Sequence, residues 1–152
     1  EIILTPWKYK DSIIESLDQL PDSKAIGFIY IITQLSTGKR YIGKKLLTKA
    51  ATKQTKGVKK KIRKESDWKS YWSSSPDIKA WIESSGYDDF RREILVFVSS
   101  KGMLAYAEEL SLYMLGALES DNWINKNIRS KVYSSWVKPE EAKVLREVLS
   151  GL

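Results

Sequence analysis

One run of charge constrains this chain more than any other feature. Residues 44 to 64 carry ten cationic side chains (Lys44, Lys45, Lys49, Lys53, Lys56, Lys59, Lys60, Lys61, Arg63 and Lys64) and no acidic residue. Such a stretch cannot enter a core, because an unpaired buried ion costs on the order of several kcal/mol. It must lie on the surface, and the core must come from the sequence on either side. The whole chain of 152 residues has 26 basic and 19 acidic residues; without these ten, 16 basic residues face 19 acidic ones, a balance of −3. The basicity is therefore one patch on a slightly acidic protein. That is the electrostatic footprint of a surface for a polyanion. A solvated Lys-rich loop without a partner is the alternative.

An apolar content of 42% with 11% aromatics is enough for a globular core. The chain has no Cys and no His. Disulfides, thiolate metal sites, Cys nucleophiles and imidazole bases are thereby excluded. Chemistry is left to Tyr, Lys, Arg, Asp, Glu, Ser or a hard metal ion. No apolar stretch approaches the roughly 20 residues of a membrane span. Glu1-Ile2-Ile3-Leu4 is a poor match to a secretion signal. No membrane partner and a cytoplasmic setting are expected.

Pattern divides the chain into elements. Ile13, Ile14 and Leu17 share a face if residues 9 to 19 are helical, with Pro21 beyond the end. Residues 25 to 33 are a β-branched and aromatic run of strand length, and Ser36-Thr37-Gly38-Lys39 is a turn before Arg40-Tyr41-Ile42-Gly43. These predict a β-hairpin. The basic segment reads as a loop with at most one helical turn. Ser75-Pro76 opens a helix with apolar face Ile78, Trp81 and Ile82, closed by Gly86. Phe90 to Val98 predicts a third strand. Met103, Tyr106, Ala107, Leu110, Met114 and Leu118 mark a long helix over 103 to 118, and Pro139 to Leu149 another. The expected fold is α+β: a small, three-stranded, mainly antiparallel sheet flanked by helices. The expected organisation is a helical extension over 1–24, a central domain over 25–128 with the basic insertion 44–64, and a helical extension over 129–152.

The hairpin carries a motif. Phe28-Ile29-Tyr30 and Tyr41-Ile42-Gly43 resemble the paired signature of the GIY-YIG nucleases, with Phe28 where the name has Gly and Gly27 just before it. Ser66 to Ser75, with Trp68, Tyr71 and Trp72, resembles a Trp-x-x-Tyr-x-x-Ser-Ser stretch of phage-encoded members. Asp89 to Leu95 resembles their third strand, and Glu108 and Asn125 continue the order Tyr, Tyr, Glu, Asn. The resemblance covers roughly residues 25 to 128.

It implies a DNA endonuclease, encoded by a phage or mobile element, with a homing, restriction-like or host-DNA-degrading role in a bacterial cytoplasm. The implied partner is double-stranded DNA; a monomer and a homodimer are both open. Glu108 is expected to hold one Mg²⁺ or Mn²⁺ ion, which a single carboxylate can do with water and phosphate oxygens. Tyr30 and Tyr41 are expected beside it, on one cleft and not separated by the sheet. A phenol with a reference pKa of about 10 acts as a base only where positive charge favours its phenolate, and Lys44 next to Tyr41 is expected to supply some. The family's Arg has no clear counterpart: the simple spacing lands on Ala50 and Ala51, leaving Arg63 as the candidate and Lys49 or Lys64 as point-charge substitutes. Tyr71 is the candidate for the residue one turn beyond it, and Asn125 completes the set. Lys45, Lys49, Lys53, Lys56, Lys59, Lys60, Lys61 and Lys64 are expected to contact DNA.

Each residue also has a plainer role open to it. Tyr30 and Tyr41 are possible cross-strand core aromatics, Asn125 a turn residue, and Trp68 and Trp72 core rather than stacking platforms. Glu109 competes with Glu108. If no cation takes the Arg position, a silent DNA-binding domain is the alternative; outside nucleic acids, it is a basic protein-interaction domain.

Overall fold

The computed structural model describes residues 5–128 and 132–152. Its centre is the strand β3 (Gly27–Gln34), buried along its whole length. It pairs antiparallel with β4 (Arg40–Leu46) on one side and β7 (Phe90–Val98) on the other. These are the three strands anticipated, but the sheet has five. The segment expected as helix 9 to 19 forms β1 (Trp7–Tyr9) and β2 (Ser12–Ile14), giving the order β2-β1-β7-β3-β4. β1 runs parallel to β7, so the sheet is mixed. The helical reading fails because Ile13 is exposed while Trp7, outside the supposed face, is buried edge-on against Phe28 and Tyr30. Tertiary packing of one large aromatic outweighs a short run of helical spacing. Only a 3-10 turn, Leu17–Gln19, is helical there.

Period-two alternation on β3 feeds two cores. Ile29 and Ile31 face helix α2 (Lys101–Met114), joined by Ile42, Val96, Val98, Met103, Leu104 and Ala107. Phe28, Tyr30 and Ile32 face the opposite layer, with Trp7, Trp68, Phe90, Ile94, and Ile78 and Ile82 of helix α1 (Pro76–Ser85). The pairing of β3 with β7 slips between Ile29 and Tyr30, where Val96 is followed across the ladder by Ile94. This bulge moves even-numbered residues of β7 from one core to the other. It explains why the strand alternates and then reads as continuously apolar.

α2 ends at Met114, short of the expected Leu118. Gly116 turns the chain at φ +60°, and Met114 and Leu118 are exposed. Helix α3 (Pro139–Ser150) packs Ala142, Leu145 and Leu149 into the α2 core, and Glu141 accepts from the backbone N–H and hydroxyl of Ser99. No described helix is long and apolar enough to cross a membrane.

The basic segment is not a loop. Apart from its first residues, which belong to β4, it forms a second, two-stranded sheet of β5 (Thr48–Thr55) and β6 (Val58–Glu65). Lys56 (φ 52°) and Gly57 (φ 78°) both have positive φ, as a type I′ hairpin turn requires. β-branched Thr48, Thr52, Thr55, Val58 and Ile62 support the strands. The lysines masked this pattern.

Candidate active site at the sheet edge

Tyr30 lies directly opposite Gly43 in the β3–β4 ladder, and its ring lies across the glycine. A Cβ at position 43 would sit 2.5 Å from both Cζ and Oη of Tyr30. Gly43 is therefore required by contact, and it brings the Tyr30 hydroxyl out over the edge strand. Gly43→Ala is expected to push the ring away, cost about 1–3 kcal/mol as other overpacked sites do, and disturb the site with it. Urea unfolding checks this; a variant as stable as the parent would mean that the ring does not need the space.

Two more tyrosines complete a cluster. The Tyr30 ring is 6.2 Å from that of Tyr41 and 6.2 Å from that of Tyr71. Tyr30 donates to the carbonyl of Trp72 at 3.2 Å. The Ser73 hydroxyl and Tyr30 neighbour the Tyr41 phenol and both favour its ionised form. Tyr30 is 1% exposed, so Tyr41 is the phenol that faces outward.

β4 is an edge strand, and its edge is partly covered. Arg40 pairs with the segment 122–124 through Arg40 N–H to the Asn122 carbonyl (2.8 Å) and Ile124 N–H to the Arg40 carbonyl (2.7 Å). Asn125 continues the ladder with its side chain. Its Oδ1 accepts from Ile42 N–H at 3.0 Å, and its Nδ2 donates to the Ile42 carbonyl at 2.8 Å. Asn125 is thus placed to hold this segment onto the strand, and both ends of its amide are engaged in doing so.

Beyond this cover a polar cleft of about 540 Å³ opens, lined by Tyr41, Ser74, Asp77, Glu108, Asn125, Lys126 and Asn127 among others. Tyr41 belongs to the layer of α1, whereas Glu108 rises from α2 on the other side of the sheet. They meet because the cleft wraps over the edge of β4. Tyr30 is likewise rooted in the α1 layer, and it does not line the cleft. The expectation that Tyr30 would converge on one cleft with Tyr41 and Glu108 is corrected: Tyr30 and Glu108 stand on opposite sides of the sheet. The Glu108 charge nevertheless acts on both phenols from across the edge of β4. Of the two adjacent carboxylates, Glu108 is the one in the cleft. Lys44 lies 3.9 Å from it.

Electrostatics at the site runs against free ionisation. Burial, with smaller contributions from Tyr41, Tyr71 and Glu108, pushes the Tyr30 phenol well above its ordinary range. Burial also raises Tyr41; the Ser73 hydrogen bond opposes this and Glu108 adds to it. Lys44 does not relieve Tyr41, because strand alternation turns it towards Glu108. Burial raises the Glu108 carboxyl too, against the pull of Lys44 and with the help of Glu109. A half-buried carboxylate of this kind gains from a cation. Among the described residues no three acidic side chains cluster as a metal cage. The donor set instead fits a hard ion held by one carboxylate with water and phosphate oxygens, the coordination in which Mg²⁺ keeps most of its waters.

The other anticipated cations lie elsewhere. Arg63 stands on β6, with its guanidinium bonded to the Thr48 hydroxyl and carbonyl, and it does not line the cleft. Its expected place there is corrected. Lys45 is turned inward, paired with Asp67 at 2.5 Å and lying 4.0 Å over the Tyr71 ring. That contact holds the Asp67 carboxyl below its usual range. Lys49, Lys53, Lys59, Lys60, Lys61 and Lys64 lie on the β5–β6 hairpin and Lys56 in its turn. Tyr71 backs the tyrosine cluster rather than lining the cleft.

Arg92 was not singled out from the sequence. It is completely buried, sandwiched between Trp7 (4.3 Å) and Trp72 (4.5 Å). It donates to the carbonyls of Thr5 (2.9 Å), Tyr71 (2.6 Å) and Lys69 (3.0 Å). Burial brings its pKa down to about 10, with Tyr30 acting in the other direction. Ser73, Ser74, Asp77, Lys126 and Asn127 were also not proposed individually. The only signal for the serines was their place in the Trp72-Ser73-Ser74-Ser75-Pro76 stretch.

One family model matches, described as "Putative endonuclease segE, GIY-YIG domain", over residues 7–128. The match runs from β1 through Asn125. No curated protein and no solved structure matches the chain.

Proposed function

Because the chain belongs to the GIY-YIG endonuclease domain family of segE type, we propose that it hydrolyses phosphodiester bonds of double-stranded DNA with a divalent metal ion. The observation that carries this reading is the meeting of Tyr41 and Glu108 on one polar cleft at the edge of β4. In it, Glu108 would hold Mg²⁺ or Mn²⁺, which when bound neutralises phosphate charge and stabilises the leaving oxygen. Lys44 Nζ stands beside Glu108 and balances charge on a phosphate placed there. Tyr41 is a neutral phenol near pH 7, so its Oη orients a water by hydrogen bonding. In that neutral form Tyr41 positions the water rather than taking its proton, with Ser73 as a neighbour of the phenol. Tyr30 and Gly43 hold Tyr41 from behind. A phage or mobile-element setting in a bacterial cytoplasm, with a homing, restriction-like or degradative role, is the finer form of this proposal.

Supercoiled plasmid incubated with and without Mg²⁺ or Mn²⁺ tests it. Nicked or linear product that appears only with metal is the expected result. Among the described residues no Arg lines the cleft, which favours a second reading, a silent DNA-binding domain. Retarded but uncut plasmid with either ion would establish that reading instead.

A further inference from the structure

The β5–β6 hairpin pairs with no strand of the main sheet, and Ile62 at its middle packs against neither core. Its register sorts its side chains onto two faces. One face carries the cross-strand pairs Thr48/Glu65, Ala50/Arg63, Thr52/Lys61 and Gln54/Lys59; the other carries Lys49/Lys64, Ala51/Ile62, Lys53/Lys60 and Thr55/Val58. The bonds from Arg63 to Thr48 confirm that these two share a face. That face is anchored at its root, where Glu65 accepts from the Trp68 indole at 2.8 Å and pairs with Lys69 at 3.7 Å.

The second face has no acid and two lysine pairs set directly opposite each other. Like charges at opposed positions destabilise an antiparallel pair, so this ribbon pays for an arrangement that folding alone does not need. A polyanion between the lysines removes that cost. The geometry suits one form of polyanion. The two lysine rows are four residues apart, about 14 Å along the ribbon, with the small apolar row Ala51/Ile62 between them. In each row the two lysines stand on opposite strands of the ribbon. The B-DNA major groove, about 12 Å wide, admits a two-stranded ribbon, and apolar side chains meet thymine methyls on its floor.

We propose that the face bearing Lys49, Lys53, Lys60 and Lys64 enters the major groove of duplex DNA, with the paired lysines on the phosphates of both groove walls and Ala51 and Ile62 over the base edges. This rests on the reading of the chain as DNA-directed, though not on cleavage. The opposite face, with Lys59 and Lys61, points away from the groove.

The consecutive residues Lys59, Lys60 and Lys61 alternate in direction, which permits a test at constant charge. Duplex binding is measured by fluorescence anisotropy over a salt series, in Ca²⁺ to prevent cutting, for the parent, Lys53→Ala/Lys60→Ala and Lys59→Ala/Lys61→Ala. Each double variant loses two charges from the same hairpin. The first is expected to lower the slope of log affinity against log salt by about 1.8, two phosphate contacts at about 0.9 each. The second is expected to change it by less than about 0.5. Guanine N7, a major-groove atom, should be protected from dimethyl sulfate by the parent. A-form RNA, whose major groove is too narrow to enter, should compete poorly. Equal slopes for the two doubles, unprotected N7, or equal competition by RNA each overturn groove insertion while leaving DNA binding in place. A parent that does not bind duplex DNA at low salt overturns both this inference and the proposed function. Binding without cleavage overturns only the nuclease reading.

Discussion

Glu108→Gln is expected to abolish metal-dependent cleavage while leaving DNA binding intact or tighter. The substitution keeps shape and hydrogen-bonding capacity but removes the charge that would hold the cation. Loss of a metal that contributes several kcal/mol to the transition state corresponds to a rate fall of about a hundred-fold or more. Binding relies on the β5–β6 lysines, and one negative charge near the phosphate disappears. A second readout follows from burial. The Glu108 carboxyl is raised in the folded protein, so its ionised form is a cost to folding when no cation is bound. The contribution of such a group is most favourable below its unfolded pKa and is lost as pH rises through the folded one. Metal-free Glu108→Gln should therefore be more stable than the parent near pH 7, and the advantage should vanish in acid, where both side chains are neutral. The lost pair with half-exposed Lys44 subtracts little. Glu109→Gln, one residue on and outside the cleft, should cut close to normally. Plasmid nicking and thermal melts at pH 4 and pH 7 decide the matter. Normal cutting by Glu108→Gln with Mg²⁺ would remove Glu108 as the metal ligand.

Much of this site is carried by short, local pattern. The β3–β4 hairpin is marked by β-branched runs around a Thr-Gly turn, and the two tyrosines and Gly43 follow from it by register. Helices α1 and α3 are marked by Pro at their first turns, and α2 by its stripe. What escaped was decided by partners distant in sequence. β1 exists because Trp7 has a slot against Phe28 and Tyr30, which nothing in residues 9 to 19 announces. The 48–65 hairpin had a legible turn at Lys56-Gly57, but lysine is a poor strand former and its density suggested a loop. The bulge between Val96 and Ile94 hid the alternation of β7. Asn125 appears in the motif order, yet its pairing with Ile42 depends on a chain return of 83 residues. Arg63 is the only Arg between the Tyr41-Ile42-Gly43 element and Tyr71, which is all that recommends it from sequence. The buried guanidinium near the tyrosines comes instead from β7, at a position that reads as an ordinary charged residue in an amphipathic strand.

That residue supports the largest expected loss of stability. Arg92 joins its own strand β7 to two other pieces of chain, at the carbonyl of Thr5 and at the loop carbonyls of Lys69 and Tyr71, under two indole rings. With a pKa of about 10 it stays cationic at pH 7. Its charge is balanced by carbonyl dipoles and aromatic faces, and among the described residues no carboxylate pairs with it. Replacing it by Met keeps most of the stem but strands three acceptors, each worth about 1–3 kcal/mol when buried without a partner. Some regain water at the margin, so a loss of about 3–5 kcal/mol is expected. Arg92→Lys keeps the charge but not the planar fork, so it should recover only part of this. The loop it holds also positions Tyr71 and the Trp72 carbonyl that accepts from Tyr30. Variants that still fold should therefore cut slowly, with DNA binding by the distant hairpin unchanged. Urea unfolding, anisotropy and nicking separate these effects. A loss below about 1 kcal/mol for Arg92→Met would show that water replaces the guanidinium, and normal nicking by a folded Arg92→Lys would show that the loop holds the tyrosines without it.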